Sequence, residues 1–302
     1  MTVSRFRLAN PAPRVTARHV SPGGIGIAID EAAAALAAAG FDEPRRQARR
    51  LLAAALGCSP GELFAHPERR LDETGRARVA ELLRRRLAHE PLSRITGRRE
   101  FWGHEFALSP EVLDPRPDSE TLIEAVLARL PDRSQGWRFL DLGTGSGCLL
   151  LALLSEFPRA SGIGIDIAPG AAATARRNAD GLGLGERAHF VAGDWAEAIG
   201  GRFDVVVANP PYIPTATLAD LPPEVRDYDP PRALDGGSDG LLAYRAIAAS
   251  LPRLLLSGGL FVGEIGQGQA APVAAVITGY GLAIDGFADD LAGITRCVIA
   301  RL

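Results

Sequence analysis

The pattern of apolar positions divides this chain in two. From about residue 25 to 90 the apolar residues are spaced for helices. Asp42-Glu43-Pro44 predicts a helix start, with Gly57 as its stop. Ser59-Pro60-Gly61-Glu62 has the spacing of a capping box. Asp72 can cap a longer helix that carries Val79, Leu82, Leu83 and Leu87 on one face and ends by Pro91. Residues 94–108 place Ile95, Phe101, Phe106 and Leu108 around Gly97 and Gly103, which predicts a short hairpin. Asp114-Pro115-Arg116-Pro117 breaks the chain, and Asp118 or Ser119 can cap a helix running to about 130.

Beyond that point short apolar runs alternate with helical stretches. Strands are expected at 137–142, 162–167, 189–192, 203–208, 260–265, 283–287 and 296–300, with a helix near 171–179. Such alternation predicts a doubly wound α/β domain with a parallel sheet, whose ligands bind at the carboxyl ends of the strands. The expected organisation is an extension at 1–24, a helical domain at 25–90, a hairpin linker at 91–115 and an α/β domain at 116–302. A Pro- and Asp-rich loop at 213–237 is long enough to suggest a flap over a site.

Composition adjusts this picture modestly. At 302 residues and 47% hydrophobic content, the chain can hold two domains and a sizeable core. Its net charge of −3 provides no global basic field for nucleic acid, and no apolar run is long enough to span a membrane. All 33 basic residues are Arg, so clusters such as Arg84-Arg85-Arg86 and Arg45, Arg46, Arg49 and Arg50 read first as solvated faces. A docking surface is the alternative reading. Cys58, Cys148 and Cys297 are too far apart in sequence for a metal or redox pair, which fits a reducing cytoplasm. Cys148 reads as a small apolar filler rather than a nucleophile. Residues 1–24 lack Asp and Glu but also lack a long apolar segment, so they read as a dispensable disordered extension.

The chemistry concentrates after the strands. Asp141-Leu142-Gly143-Thr144-Gly145-Ser146-Gly147 joins the 137–142 strand to a helix, and Asp166 ends the next strand. Glycines admit a ligand close to the backbone, and an acidic residue about 20 positions on can accept from ribose hydroxyls. The G-x-G-x-G spacing departs from the dinucleotide fingerprint, which favours a nucleoside without pyrophosphate, such as S-adenosylmethionine (AdoMet). Asp194 can accept from an adenine amino group, and Trp195 can pack on its ring. Asn209-Pro210-Pro211-Tyr212 follows the 203–208 strand. The Asn209 side-chain carbonyl and the Pro210 carbonyl can accept the two hydrogens of a planar amino group, against which Tyr212 can pack. An amide or aromatic amine is a poor nucleophile, so positioning and electrostatics would supply most of its activation. No metal site is expected. These four residues alone do not separate a glutamine amide from an adenine amine.

The chain resembles the bacterial release factor glutamine methyltransferase family (PrmC/HemK) from about residue 30 to the C-terminus. The resemblance lies in Glu100-Phe101-Trp102-Gly103, Pro115-Arg116-Pro117-Asp118-Ser119-Glu120, the 141–147 loop, Gly193-Asp194-Trp195 and Asn209-Pro210-Pro211-Tyr212. It continues in Ala233-Leu234-Asp235-Gly236-Gly237, Glu264-Ile265-Gly266-Gln267 and Asp290-Leu291-Ala292-Gly293. It implies a Rossmann-like class I AdoMet-dependent methyltransferase sheet behind a helical domain that docks the substrate. The implied reaction methylates the glutamine of the Gly-Gly-Gln motif in peptide chain release factors and releases S-adenosylhomocysteine. By resemblance, Gly143, Thr144, Gly145, Ser146, Gly147, Asp166, Trp195 and Asn209 would contact the cofactor, and Asn209, Pro210, Pro211 and Tyr212 would hold the glutamine. Phe101, Arg116 and Glu120 would lie near the cofactor or an interdomain cleft. Asp114 departs from the aliphatic residue usual at that position. Rival expectations are a ribosomal-protein glutamine methyltransferase, an adenine methyltransferase and a non-catalytic AdoMet-binding adaptor.

Overall fold

The computed structural model describes residues 23–197 and 199–302. Of the expected N-terminal extension, residues 1–22 lie outside the described residues. The chain divides into two compact units between Thr96 and Gly97.

The first unit is helical: α1 (Ile25–Ala38), α2 (Pro44–Leu56), α3 (Pro60–Ala65), α4 (Glu73–Leu87) and α5 (Leu92–Thr96). Local chemistry sets most of these ends. Pro44 opens α2, and Gly57 ends it in a left-handed conformation (φ 66°). Ser59 and Glu62 form a reciprocal capping box on α3, and the Asp72 carboxylate accepts from Gly75 N at 2.6 Å on α4. Val79 and Leu83 of α4 are buried with Leu36, Leu51, Leu52 and Leu63, whereas Leu82 and Leu87 sit at the edge of that core. Arg86 departs from the expected solvated face, being only 5% exposed. Its guanidinium donates to Gln47 Oε1 at 2.7 Å and to the Glu90 carbonyl at 3.0 Å, and stacks 4.0 Å above the Phe41 ring. Arg tolerates this burial because its planar cation is weakly hydrated and stacks on aromatic faces.

The second unit opens with the hairpin β1 (Arg98–Phe101) and β2 (His104–Ala107), so α5 and the hairpin fall in different units rather than in one linker. Then follow α6 (Glu120–Arg129), β3 (Arg138–Leu142), α7 (Cys148–Glu156), β4 (Ser161–Asp166), α8 (Pro169–Gly181), β5 (Ala188–Ala192) and β6 (Phe203–Ala208). The chain ends with α9 (Pro223–Arg226), α10 (Leu242–Leu254), β7 (Leu255–Glu264), α11 (Ala270–Gly279), β8 (Ala283–Asp289) and β9 (Thr295–Arg301). The sheet order is β5-β4-β3-β6-β7-β9-β8. Apolar cores cover both faces: Phe139, Val205 and Val207 point to α6 and α7, while Leu140, Val206 and Ala208 point to α10 and α11. Strands buried on both sides need such continuous apolar runs.

Two expectations change here. The sheet is parallel only through β7, because β9 inserts between β7 and β8 and runs antiparallel to both. A tight turn links β8 and β9, with Asp290 Oδ1 accepting from Ala292 N and Ile294 N; so short a connection allows only antiparallel pairing. Neither Asp118 nor Ser119 caps α6 through its side chain. A 3-10 turn (Pro117–Ser119) leads straight into the helix, which frees Ser119 for other contacts. The order of strands reverses between β3 and β6, which places the crevice at their carboxyl ends. Among the described residues no helix is long and apolar enough to cross a membrane.

Candidate active site

The carboxyl ends of β5, β4, β3 and β6 deliver the Asp194–Trp195 pair, Asp166, the glycine loop and Asn209 to one crevice. There a cavity of about 230 Å³ is lined by Gly143, Thr144, Gly145, Ser146, Asp166, Asp194, Trp195, Asn209 and Pro211. Gly147, Pro210 and Tyr212 are not among its lining residues. The start of the loop is anchored to β4: Gly143 and Thr144 N–H both donate to the Ile165 carbonyl, at 2.9 and 2.8 Å. Gly145 has φ 54°, and beyond its chain neighbours no described atom lies within 4 Å of where a Cβ would stand. The backbone there is open to a ligand.

The Asp166 carboxylate accepts from Gly145 N and Ala168 N, each at 2.9 Å. Each oxygen keeps further acceptor capacity, which suits a ribose diol. Burial raises its pKa despite these two bonds. Asp141, fully buried, accepts from Thr144 Oγ1 at 2.6 Å through one oxygen. Its other oxygen has no hydrogen-bond partner among the described residues. Desolvation pushes its pKa up to about 7. The Cys148 thiol also lines the cavity, and burial pushes it up to about 12, which excludes a standing thiolate nucleophile. Among the described residues no cluster of three His, Cys, Asp or Glu side chains could hold a metal ion.

Asn209 follows directly on β6. Its Nδ2 donates to Ser119 Oγ at 3.1 Å, while no described residue donates to its Oδ1. Tyr212 turns its hydroxyl toward Glu264 Oε1 at 3.4 Å rather than into the cavity. The Tyr212 carbonyl is held by Gln269 Nε2 at 3.0 Å, so the turn is fixed on both sides.

Residues 28–97 match the family model described as the PrmC N-terminal domain, and residues 113–219 match the methyltransferase small domain. A release factor glutamine methyltransferase of Rhodospirillum rubrum is 50% identical over 277 residues, covering 92% of this chain and 85% of the relative. Another from Bradyrhizobium diazoefficiens is 46% identical, covering 89% of this chain and 92% of the relative. The chain belongs to the release factor glutamine methyltransferase family. The solved hMettl16 catalytic domain, in complex with MAT2A 3'UTR hairpin 6, is similar at a TM-score of 0.54 and 17% identity. It covers 67% of this chain and 77% of that one, and shows the fold alone. That fold is the class I methyltransferase sheet.

In this member of the release factor glutamine methyltransferase family, several residues around the crevice carry no active-site assignment from the sequence. Glu111, Ser119 and Arg232 line the cavity, Arg232 from the 213–237 segment, and Glu264 stands behind Ser119, which meets Asn209. Ser119 and Glu264 lie inside motifs that carry the family resemblance, which was the available signal. Phe101, Arg116 and Glu120 are not among the cavity residues. Phe101 packs in the core against Phe106, and Glu120 accepts from Trp102 N at 2.8 Å. Arg116 pairs with buried Asp229 at 2.5 Å. Asp114, the departure from the family pattern, is also buried: its N–H donates to Asp229 and its carboxylate lies 3.7 Å from Arg99. This network ties the end of the 213–237 segment to the start of α6.

Proposed function

We propose that this protein transfers a methyl group from AdoMet to the side-chain amide nitrogen of the glutamine in the Gly-Gly-Gln motif of peptide chain release factors, in the cytoplasm. One observation carries the reading. Asn209 lines the same cavity as the glycine loop and Asp166, and no described residue donates to its Oδ1. The open backbone at Gly145 and the acceptor capacity of Asp166 fit the ribose of a nucleoside held against the glycine loop. Residues 143–147, Asp166, Asp194, Trp195 and Asn209 would hold it.

Bound there, AdoMet supplies an electrophilic methyl group on a positive sulfur and leaves as S-adenosylhomocysteine. The chain's own part is to place a weak nucleophile. Asn209 Oδ1 and the Pro210 carbonyl accept the two amide hydrogens of the glutamine. This orients the nitrogen lone pair and favours the positive charge that develops on the nitrogen. The proton leaves after transfer, so no general base acts first.

The test offers the protein AdoMet together with intact release factor, ribosomal protein and DNA, and locates the methyl group by mass spectrometry. Methylation of the release-factor glutamine is expected; modification of DNA alone would sink the proposal. Asn209→Ala is expected to lower kcat by at least about a hundredfold, the cost of losing one oriented polar contact to a reacting group, while retaining much of the AdoMet affinity.

A further inference from the structure

The Asn209 amide is held by Ser119, which lines the same cavity, and Ser119 in turn by Glu264 behind it. Ser119 Oγ donates to Glu264 Oε2 at 2.5 Å, and Asn209 Nδ2 donates to the same Ser119 oxygen at 3.1 Å. Ser119 and Glu264 are each 2% exposed. A serine hydroxyl has a single hydrogen, and an ionised carboxylate only accepts. With that hydrogen committed to Glu264, Ser119 can only accept from Asn209. Asn209 must therefore turn its NH2 toward Ser119 and present its carbonyl on the other side.

We propose that Ser119 and Glu264 are positioning residues, whose two hydrogen bonds hold the Asn209 carbonyl in the orientation that accepts from the substrate amide. This inference rests on Asn209 as the residue that holds the acceptor.

The chain of bonds also has a reversed state. A protonated Glu264 donates to Ser119, whose hydrogen is then released toward Asn209. The amide satisfies it by turning over, and its NH2 then opposes the N–H of an incoming glutamine. The groups around Glu264 set when this happens. The Tyr212 hydroxyl lies against its carboxylate, and Tyr244 of α10 donates to its backbone carbonyl. Arg296 and Cys297 of β9, Asp118 of the turn before α6 and Cys148 of α7 complete the charged and titratable surroundings. Burial outweighs the Ser119 bond and the Arg296 charge, and pushes Glu264 up to about 7. The reversed state therefore grows as pH falls through that value.

The experiment uses the full chain, AdoMet and intact release factor. It measures kcat against pH, AdoMet affinity by calorimetry, and the side-chain amide signal of Asn209 in 15N-labelled protein. Ser119→Ala is expected to lower kcat roughly tenfold to a hundredfold, with a much smaller change in AdoMet affinity, and Ser119→Thr to restore most of the kcat loss. Wild-type kcat should fall with a single-proton slope below about pH 7, and Glu264→Gln should lose that limb. The Asn209 signal should titrate over the same range. A Ser119→Ala enzyme with near wild-type kcat, or an unaltered acid limb in Glu264→Gln, overturns the relay. In either case an inactive Asn209→Ala leaves the acceptor reading standing. Near-normal turnover by Asn209→Ala overturns the acceptor reading itself. Where a variant fails to fold, the wild-type Asn209 signal decides, and a signal flat from about pH 6 to 8 overturns the relay.

Discussion

Asp141 stands fully buried at the carboxyl-terminal half of β3, with Thr144 on one oxygen and no partner for the other among the described residues. Its pKa is raised to about 7, first by burial and then by the charge of Asp166. The native state therefore holds this proton more tightly than the unfolded chain does. Its stabilising contribution is fully present below about pH 4, the unfolded value, and is lost as pH rises through about 7. Asp141→Asn keeps an acceptor for Thr144 and removes the charge. We expect it to raise unfolding free energy by up to about 3 kcal/mol at pH 8 and far less at pH 4, measured by urea titration at both. An equal change at the two pH values would show that the buried charge is not the cause. Asp141 was legible in the sequence as part of a glycine-loop motif, and so were Asp166 and Asn209. Ser119 and Glu264 were visible only as letters within motifs. The bond that joins them spans 145 positions, and nothing in local spacing announces it.

The Asn-Pro-Pro-Tyr turn depends on elements distant in sequence. Gly240 has φ 74°, and a Cβ there would stand 2.4 Å from the Tyr212 carbonyl oxygen and 2.7 Å from Gln269 Nε2, which donates to that same oxygen. Gly240→Ala must therefore push the turn away as well as strain its own backbone. A loss of about 1–3 kcal/mol is expected from the overpacking, with a larger fractional loss in kcat than in AdoMet affinity. Thermal melts and calorimetry check it; unchanged kcat would mean that the turn does not need this support. Elements set by near neighbours were readable: the capping box at Ser59, the Asp72 cap, the Gly57 stop and the apolar strands through β6. Elements set by distant partners were not. The insertion of β9 depends on sheet pairing, and the burial of Arg86 depends on Phe41 and Gln47. The 213–237 segment read as a plain flap. It carries short helical turns and is anchored by Asp229 to Arg116 and Asp114, so its Arg232 reaches the cavity from a braced support.

For the whole molecule, a net charge of −3 hides an uneven surface. On α2 of the helical unit, Arg45 pairs with Asp30 and Arg46 with Glu43, while Arg49 and Arg50 form no ion pair among the described residues. Arg49 lies 6.0 Å from the ring centre of Phe64, which is 77% exposed. Solvated arginines need no such neighbour, whereas an exposed aromatic beside unpaired cations has the composition of a protein-binding patch. If the helical unit docks the release factor through this face, reversing both charges should weaken docking alone. Arg49→Glu with Arg50→Glu is expected to raise KM for intact release factor about tenfold, equivalent to about 1.4 kcal/mol, and to reduce the salt dependence of kcat/KM. AdoMet affinity should be unchanged. So should turnover at saturating release factor, because the cavity residues all lie in the other unit. Steady-state kinetics at low and high salt separate the readings. If KM and its salt dependence stay at wild-type values, these arginines are solvated surface and the docking face lies elsewhere.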